Sequence, residues 1–236
     1  MKPSPALGVV LLLLASSALT ARAANAAYEL DPVHTRVVIA VEHAGFSKAI
    51  GTVSGSSGIL QFDPDDWTTA KLEVSVPLQR LDLGDDKWNQ AVLARNLLDA
   101  EKFPTATFVS TRIEPVDPQH ASVYGTLTLH GVSKEVKLAV TLNALKRHPL
   151  PPFRRTAGFS ATTTLSRAEF GIDAWKSVIG DSVEMRLEVE ATRTRKDGGK
   201  EDPPSDPPQT GPAQPDQPPT DQQPAPPTPT SEPAKP

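Results

Sequence analysis

Between residues 28 and 195 apolar and polar positions alternate with a period of two. Val37, Ile39 and Val41 alternate with Arg36, Ala40 and Glu42, and Leu72, Val74, Val76 and Leu78 alternate with Lys71, Glu73 and Ser75. The same reading holds for Val123, Gly125, Leu127 and Leu129, for Val136, Leu138, Val140 and Leu142, for Phe159, Ala161, Thr163 and Leu165, and for Val183, Met185, Leu187 and Val189. Side chains point to opposite faces at successive strand positions, so each run predicts a strand with one apolar and one wet face. Weaker patterns over 50–62 and 105–114 bring the expectation to eight strands. The first of these holds Gly51, Gly55 and Gly58, which suits a strongly bent or bulged strand.

Turn chemistry separates the runs. Asp63-Pro64-Asp65-Asp66, Val116-Asp117-Pro118 and His130-Gly131-Val132-Ser133 mark short connections, the last so tight that its strands must be antiparallel neighbours. One stretch departs from period two: over 85–100, Trp88, Val92, Leu93 and Leu97 form a helical stripe, with Asp85 and Asp86 at the start and Phe103-Pro104 after the end. The fold class is therefore all-β and mostly antiparallel, with one short helix placed to cover an end. Eight one-sided strands bury their apolar faces either as two stacked sheets or as a closed barrel, and periodicity leaves both open.

The two ends of the chain carry a different pattern. Lys2, an apolar run over 6–14 and the small-residue sequences Ala21-Arg22-Ala23 and Ala24-Asn25-Ala26 follow the order of a cleavable signal peptide. The run is too short to span a bilayer, which needs about 20 residues. Cleavage would start the mature chain at Ala24 or Ala27, so the expected divisions are 1–26, 27–195 and 196–236. The last is a Pro-, Gln- and Asp-rich tail that cannot bury enough apolar surface to order itself.

Charge and cysteine content then narrow the function. The tail's three lysines and seven acidic residues account for the whole net charge of −4, leaving 21 basic and 21 acidic residues ahead of it. A domain neutral on average gives no reason to expect nucleic acid or an anionic membrane as partner. The absence of cysteine excludes disulfide scaffolds, thiolate catalysis and thiolate metal sites.

Five strings occur in register: Tyr28-Glu29-Leu30-Asp31-Pro32-Val33-His34-Thr35, Val41-Glu42-His43-Ala44-Gly45-Phe46-Ser47, Phe103-Pro104-Thr105-Ala106-Thr107-Phe108, Gly125-Thr126-Leu127-Thr128-Leu129-His130-Gly131-Val132, and Ser166-Arg167-Ala168-Glu169-Phe170-Gly171-Ile172 with Gly180-Asp181 beyond it. In this order the chain resembles the YceI-like family of exported lipid-binding proteins over residues 28–191. The resemblance implies an eight-stranded lipocalin-like barrel around an apolar tunnel that holds a polyisoprenoid chain, an isoprenoid quinone or another long amphiphile. Many relatives carry two aromatics near the helix end where this chain has Leu97 and Leu98, so aliphatic contacts would replace ring stacking there.

The expected function is that of a periplasmic or secreted carrier and not of an enzyme. No cofactor is expected apart from a bound isoprenoid quinone or polyprenyl lipid as cargo, and no stable membrane insertion after signal cleavage; homodimerisation stays open. Rival readings are an enzyme acting on a bound isoprenoid and a secreted interaction protein with a closed barrel and a working tail. Candidate ligand contacts are the tunnel-wall residues Ile39, Val74, Val76, Leu127, Leu129, Phe159 and Met185, together with Leu97, Leu98, Phe108 and Phe170. Trp88 and Trp175 lie outside the strands, where an indole covers a barrel end or lines a ligand's path.

Polar candidates are few. His43 is placed to donate to a head group or to fix the turn into Gly45, and Arg167 either clamps a phosphate or carbonyl or pairs with Glu169 or Asp173 to pin its loop. His34 and His130 read as turn residues, and no metal-ligand spacing or catalytic serine motif is present. Asp65 with Asp66 and Asp85 with Asp86 read as caps.

Overall fold

The computed structural model describes residues 25–194, so the signal segment up to residue 24 and the tail from 195 onward lie outside the described residues. The strand segments are β1 (Ala26–Leu30), β2 (Arg36–His43), β3 (Ser47–Val53), β4 (Ser57–Phe62), β5 (Lys71–Pro77), β6 (Leu81–Asp82), β7 (Thr105–Pro115), β8 (His120–Leu129), β9 (Val132–Arg147), β10 (Arg155–Ser166) and β11 (Ile179–Arg193). Helix α1 (Asp86–Leu93) lies between β6 and β7.

Of the eight strands of the barrel, three are each broken once into two segments. β1 and β2 both run along β11, at Leu30↔Ala191 and Arg36↔Glu188, with the turn at Asp31–Thr35 between them. β3 and β4 are the Gly-rich strand, bent at Gly55, whose φ of +78° places it in the left-handed region. β5 and β6 flank one tight turn. Sequential antiparallel pairing runs β1–β4–β5–β7–β8–β9–β10–β11, and β11 returns to β1 through Tyr28↔Arg193. The circuit is an eight-stranded closed barrel, so the stacked-sheet alternative is excluded.

The alternation decides which face lies inside. Val123 and Gly125 of β8 and Val136 and Leu138 of β9 point inward, buried, while Lys137 stands outside. Gly125 has no side chain for a direct reason: a Cβ there would lie 2.3 Å from Phe108 Cζ and 2.6 Å from the Val109 carbonyl oxygen. The expected tight hairpin is present, with His130 (φ +52°) and Gly131 (φ +75°) between Leu129 and Val132.

Two readings need correction. The helix is about half its expected length, ending at Leu93, because Ala94 turns extended and Asp99 takes a left-handed φ of +46°. That break drops Leu97 into the core, where it is buried, instead of continuing the helical stripe. The stripe was therefore satisfied by tertiary burial and not by a longer helix. The strand at Ala26–Leu30 was not anticipated, although it is the seam that closes the barrel. Asn25 fastens its start, donating to the Thr69 carbonyl at 2.7 Å and accepting from Thr69 Oγ1 at 2.9 Å.

One stretch of wall is not zipped. β6 pairs only with β3, and β7 pairs with β5 and β8, so no ladder joins β6 to β7. Helix α1 fills this gap. Its N-cap is Asp85, whose carboxylate accepts from the backbone N–H of Lys87 and Trp88, as the capping reading required.

Candidate functional site

The inner faces do not meet in the middle of the barrel. They enclose one tunnel of about 440 Å³, whose wall is almost entirely aliphatic and aromatic. Fourteen of the fifteen residues singled out from sequence lie on that wall: Ile39, Val74, Val76, Leu127, Leu129, Phe159 and Met185 from the strands, Phe108 from β7, Trp88, Leu97 and Leu98 from α1 and its sequel, and His43, Arg167 and Phe170. The exception is Trp175, which stands outside the tunnel and is 60 % exposed.

One end is shut by aromatic rings. Phe62, at the end of β4, meets Trp67 edge-on at 5.1 Å and Phe159 at 5.5 Å. Phe62 is 1 % exposed and Trp67 is buried. Neither was singled out from sequence; Phe62 ends an alternating run and Trp67 follows a turn, positions with no signal of their own. The Asp66 carboxylate caps the short turn carrying Trp67 by accepting from the Thr68 N–H.

The other end opens at the unzipped wall. Of all the wall residues only Glu42, Trp88 and Ala91 are exposed, and they lie together where β2 ends beside α1. The His43 ring packs against Trp88 at 5.3 Å. Glu42 reaches the wall because Val41, Glu42 and His43 all do, a break in period two at the strand end that the sequence does not announce.

Arg167 pins its loop, as one of the two readings foresaw, but through backbone carbonyls and not through an ion pair. It is buried, and its guanidinium donates from Nε to the Gly180 carbonyl at 2.9 Å, from Nη1 to that of Ile172 at 2.7 Å and from Nη2 to that of Ile179 at 2.8 Å. Three of its five N–H donors are committed to the backbone of its own loop, without an ion pair to Glu169 or Asp173 among the described residues. Arg167 is thus a staple holding the β10–β11 connection across the tunnel wall, where it secures Phe170 and Ile172 in place.

The remaining polar groups have local duties. His130 Nδ1 contacts the Phe170 carbonyl at 3.1 Å, and His34 Nδ1 contacts Asp31 Oδ2 at 2.8 Å. Partial burial works to raise the Asp31 carboxyl, but hydrogen bonds from His34 and from the backbone N–H of Val33 and His34 outweigh it and hold it low. His34 is raised in turn, chiefly by its hydrogen bond to Asp31. Asp31, His34 and Glu190 are close enough to share an ion, but Asp31 is already engaged in its own turn. Among the described residues, none of the groups with a displaced pKa (Asp31, His34, Asp82, Asp117, Asp173, Asp181, Glu188) lines the tunnel.

Known proteins of the same kind carry this architecture. A UPF0312 protein of Pseudomonas syringae pv. tomato is 33 % identical over 167 residues, covering 71 % of this chain and 84 % of its own length. One from Shewanella baltica is 32 % identical over 184 residues, covering 77 % and 95 %. Among solved structures, Burkholderia cenocepacia BcnA superposes with a TM-score of 0.62 at 24 % identity over 69 % of this chain and 99 % of that one. A polyisoprenoid binding domain from Saccharophagus degradans does so with a TM-score of 0.57 at 15 % identity, over 72 % and 99 %. At such identities the superpositions establish the fold. The model of the YceI-like domain matches residues 28–191, the whole barrel, and the chain belongs to the YceI-like family.

Proposed function

We propose that this protein is an exported carrier that sequesters one long apolar molecule, a polyisoprenoid chain, an isoprenoid quinone or a similar amphiphile, inside its barrel. The observation that carries the reading is the tunnel itself, about 440 Å³ of apolar wall closed at one end and open at the other. A compact solute would leave such a tunnel part-filled, whereas a chain fits it along its length. Each buried methylene contributes roughly 0.8 kcal/mol, so a chain of several prenyl units needs no charged contact for tight binding. The Saccharophagus degradans relative, described as polyisoprenoid binding, supports this ligand class.

The chain enters tail first and its polar head stays at the mouth, where the polar wall residues Glu42 and His43 lie beside the opening. No chemistry is assigned to the cargo. Export is carried by the residues 1–26 pattern, and cleavage after Ala23 is the site that keeps Asn25 on Thr69.

Mass spectrometry of the organic extract of natively exported protein, with a prenyl-quinone titration read by tryptophan quenching, tests the reading. The expected result is a copurifying prenyl lipid, or saturable quenching, that Ala161→Phe in the tunnel wall abolishes. No extractable lipid and no quinone uptake would sink it.

A further inference from the structure

Three segments meet at the tunnel mouth, and each holds a large apolar side chain in solvent. The β2–β3 turn presents Phe46 at 92 % exposure, the loop before β11 presents Trp175 and Val178, and α1 presents Trp88 at 43 %. His43 joins them. Trp88 packs on its ring, its carbonyl accepts from the Phe46 N–H at 3.1 Å, and it pairs with Ile179, whose N–H donates to the Trp175 carbonyl at 2.8 Å. The neighbouring Ala44 N–H donates to the Val178 carbonyl at 2.6 Å.

Phe46, Trp175 and Val178 add nothing to the tunnel wall, so lining the cavity does not explain their exposure. The backbone actively holds two of them out. Ala44 (φ +53°) and Gly45 (φ +73°) form a left-handed two-residue turn that projects Phe46, and Trp175 itself sits at φ +59°. A bulky residue adopts that conformation only where its surroundings enforce it. Contiguous exposed apolar groups of this kind mark contact with a partner.

The charges beside the rim say which partner. Lys48 is paired with Glu184 and Lys176 with Asp173, and the exposed Glu42, Asp85, Asp86 and Lys87 beside Trp88 leave a small acidic excess, so the rim offers no basic patch to select an anionic surface. Indole and phenyl rings exposed beside no basic patch fit the interface of an uncharged lipid bilayer, where tryptophan is favoured. The opening for an apolar chain lies inside this rim. Resting on the carrier reading, we infer that Phe46, Trp88, Trp175 and Val178 form a docking surface that seats the tunnel mouth on a bilayer, so that cargo passes between membrane and tunnel without crossing water.

Flotation of the exported full chain with phosphatidylcholine vesicles tests this. The wild type should float with the vesicles at low and high salt alike, and the triple variant Phe46→Ser, Trp175→Ser, Val178→Ser should partition at least about tenfold more weakly. Quinone delivered from cyclodextrin should still enter the variant within about twofold of wild type, because none of the three lines the tunnel, while uptake from donor vesicles slows about tenfold. Equal flotation of variant and wild type overturns the inference, as does wild type that fails to float. So does flotation that requires anionic lipid and vanishes at high salt, which would assign contact to the β9–β10 tip, where Lys146, Arg154 and Arg155 flank the exposed Leu150 and Phe153. Failure of cyclodextrin uptake in both proteins removes the carrier reading, and flotation still decides the docking surface by itself.

Discussion

The two ends of the barrel use aromatic rings in opposite ways. At the closed end Phe62, Trp67 and Phe159 stack edge to face, and the first two are buried. At the mouth Trp88 leans on His43 with much of its indole in water, and Phe46 and Trp175 are more exposed still. At the closed end the β5–β7 ladder stops at Glu73↔Val109, but the short turn Trp67–Thr69 packs against β7 there with Trp67 buried, so the rings are covered. At the mouth the ladder stops between β6 and β7, and an eight-residue helix stands in for wall. Burial is concentrated where the covering turn buries its ring, and access is placed where the covering helix has no buried residue.

The contrast predicts different responses to comparable changes. Phe62→Ala removes a ring that is 1 % exposed and should cost about 4 kcal/mol of unfolding free energy, read by chemical denaturation. It also opens the closed end, so the longest prenyl chain retained should lengthen. An unchanged chain-length limit would show that Phe62 is not the stop.

Arg167→Met should be nearly as severe, costing about 3 kcal/mol because one buried and two part-buried carbonyls lose their donor. Arg167→Lys should not restore it, since a single ammonium cannot reach three directions at once. Full rescue by lysine would return the charge, and with it the head-group clamp, to consideration.

Trp88→Ala should cost under about 1 kcal/mol of stability, given its 43 % exposure, yet weaken prenyl-quinone binding about tenfold. A stability loss as large as that of Phe62→Ala would erase the distinction between the ends.

The smallest effect concerns the turn between β1 and β2. His34 is raised above its ordinary value of 6.5 by Asp31, so its contribution to stability is complete below that value and fades as pH rises through the raised one. Asp31 is held below 3.8, so its share is present above that value and fades as pH falls through the lowered one. His34→Ala should flatten the decline of melting temperature between about pH 6 and pH 8. An unaltered slope would mean the pair persists in the unfolded chain.

Much of this was legible in the chain. Period two placed the inward face of nearly every strand, because a strand exposes alternate residues to opposite sides whatever its partners are. Of the fourteen candidate site residues on the tunnel wall, the eight strand residues fall there for the same reason. His43, Trp88, Leu97, Leu98, Arg167 and Phe170 owe their place to the helix, loops or a strand end. Trp175 falls outside the wall, since its place depends on a loop that period two does not describe. Helix length was misread because Leu97 satisfies a helical stripe and a buried pocket equally well, and tertiary burial took it. Averaged charge hid the basic tip of the β9–β10 hairpin, which sums to zero only with acids elsewhere in the barrel.

By itself the sequence determined most of the strands, their inward faces, their antiparallel character and the family. Only the tertiary structure decided that the sheet closes through β1, that the inner faces leave a tunnel, and which end of it is open. Local alternation is set by the geometry of each strand, whereas closure, void and mouth depend on contacts between residues more than 150 positions apart, such as Tyr28 with Arg193.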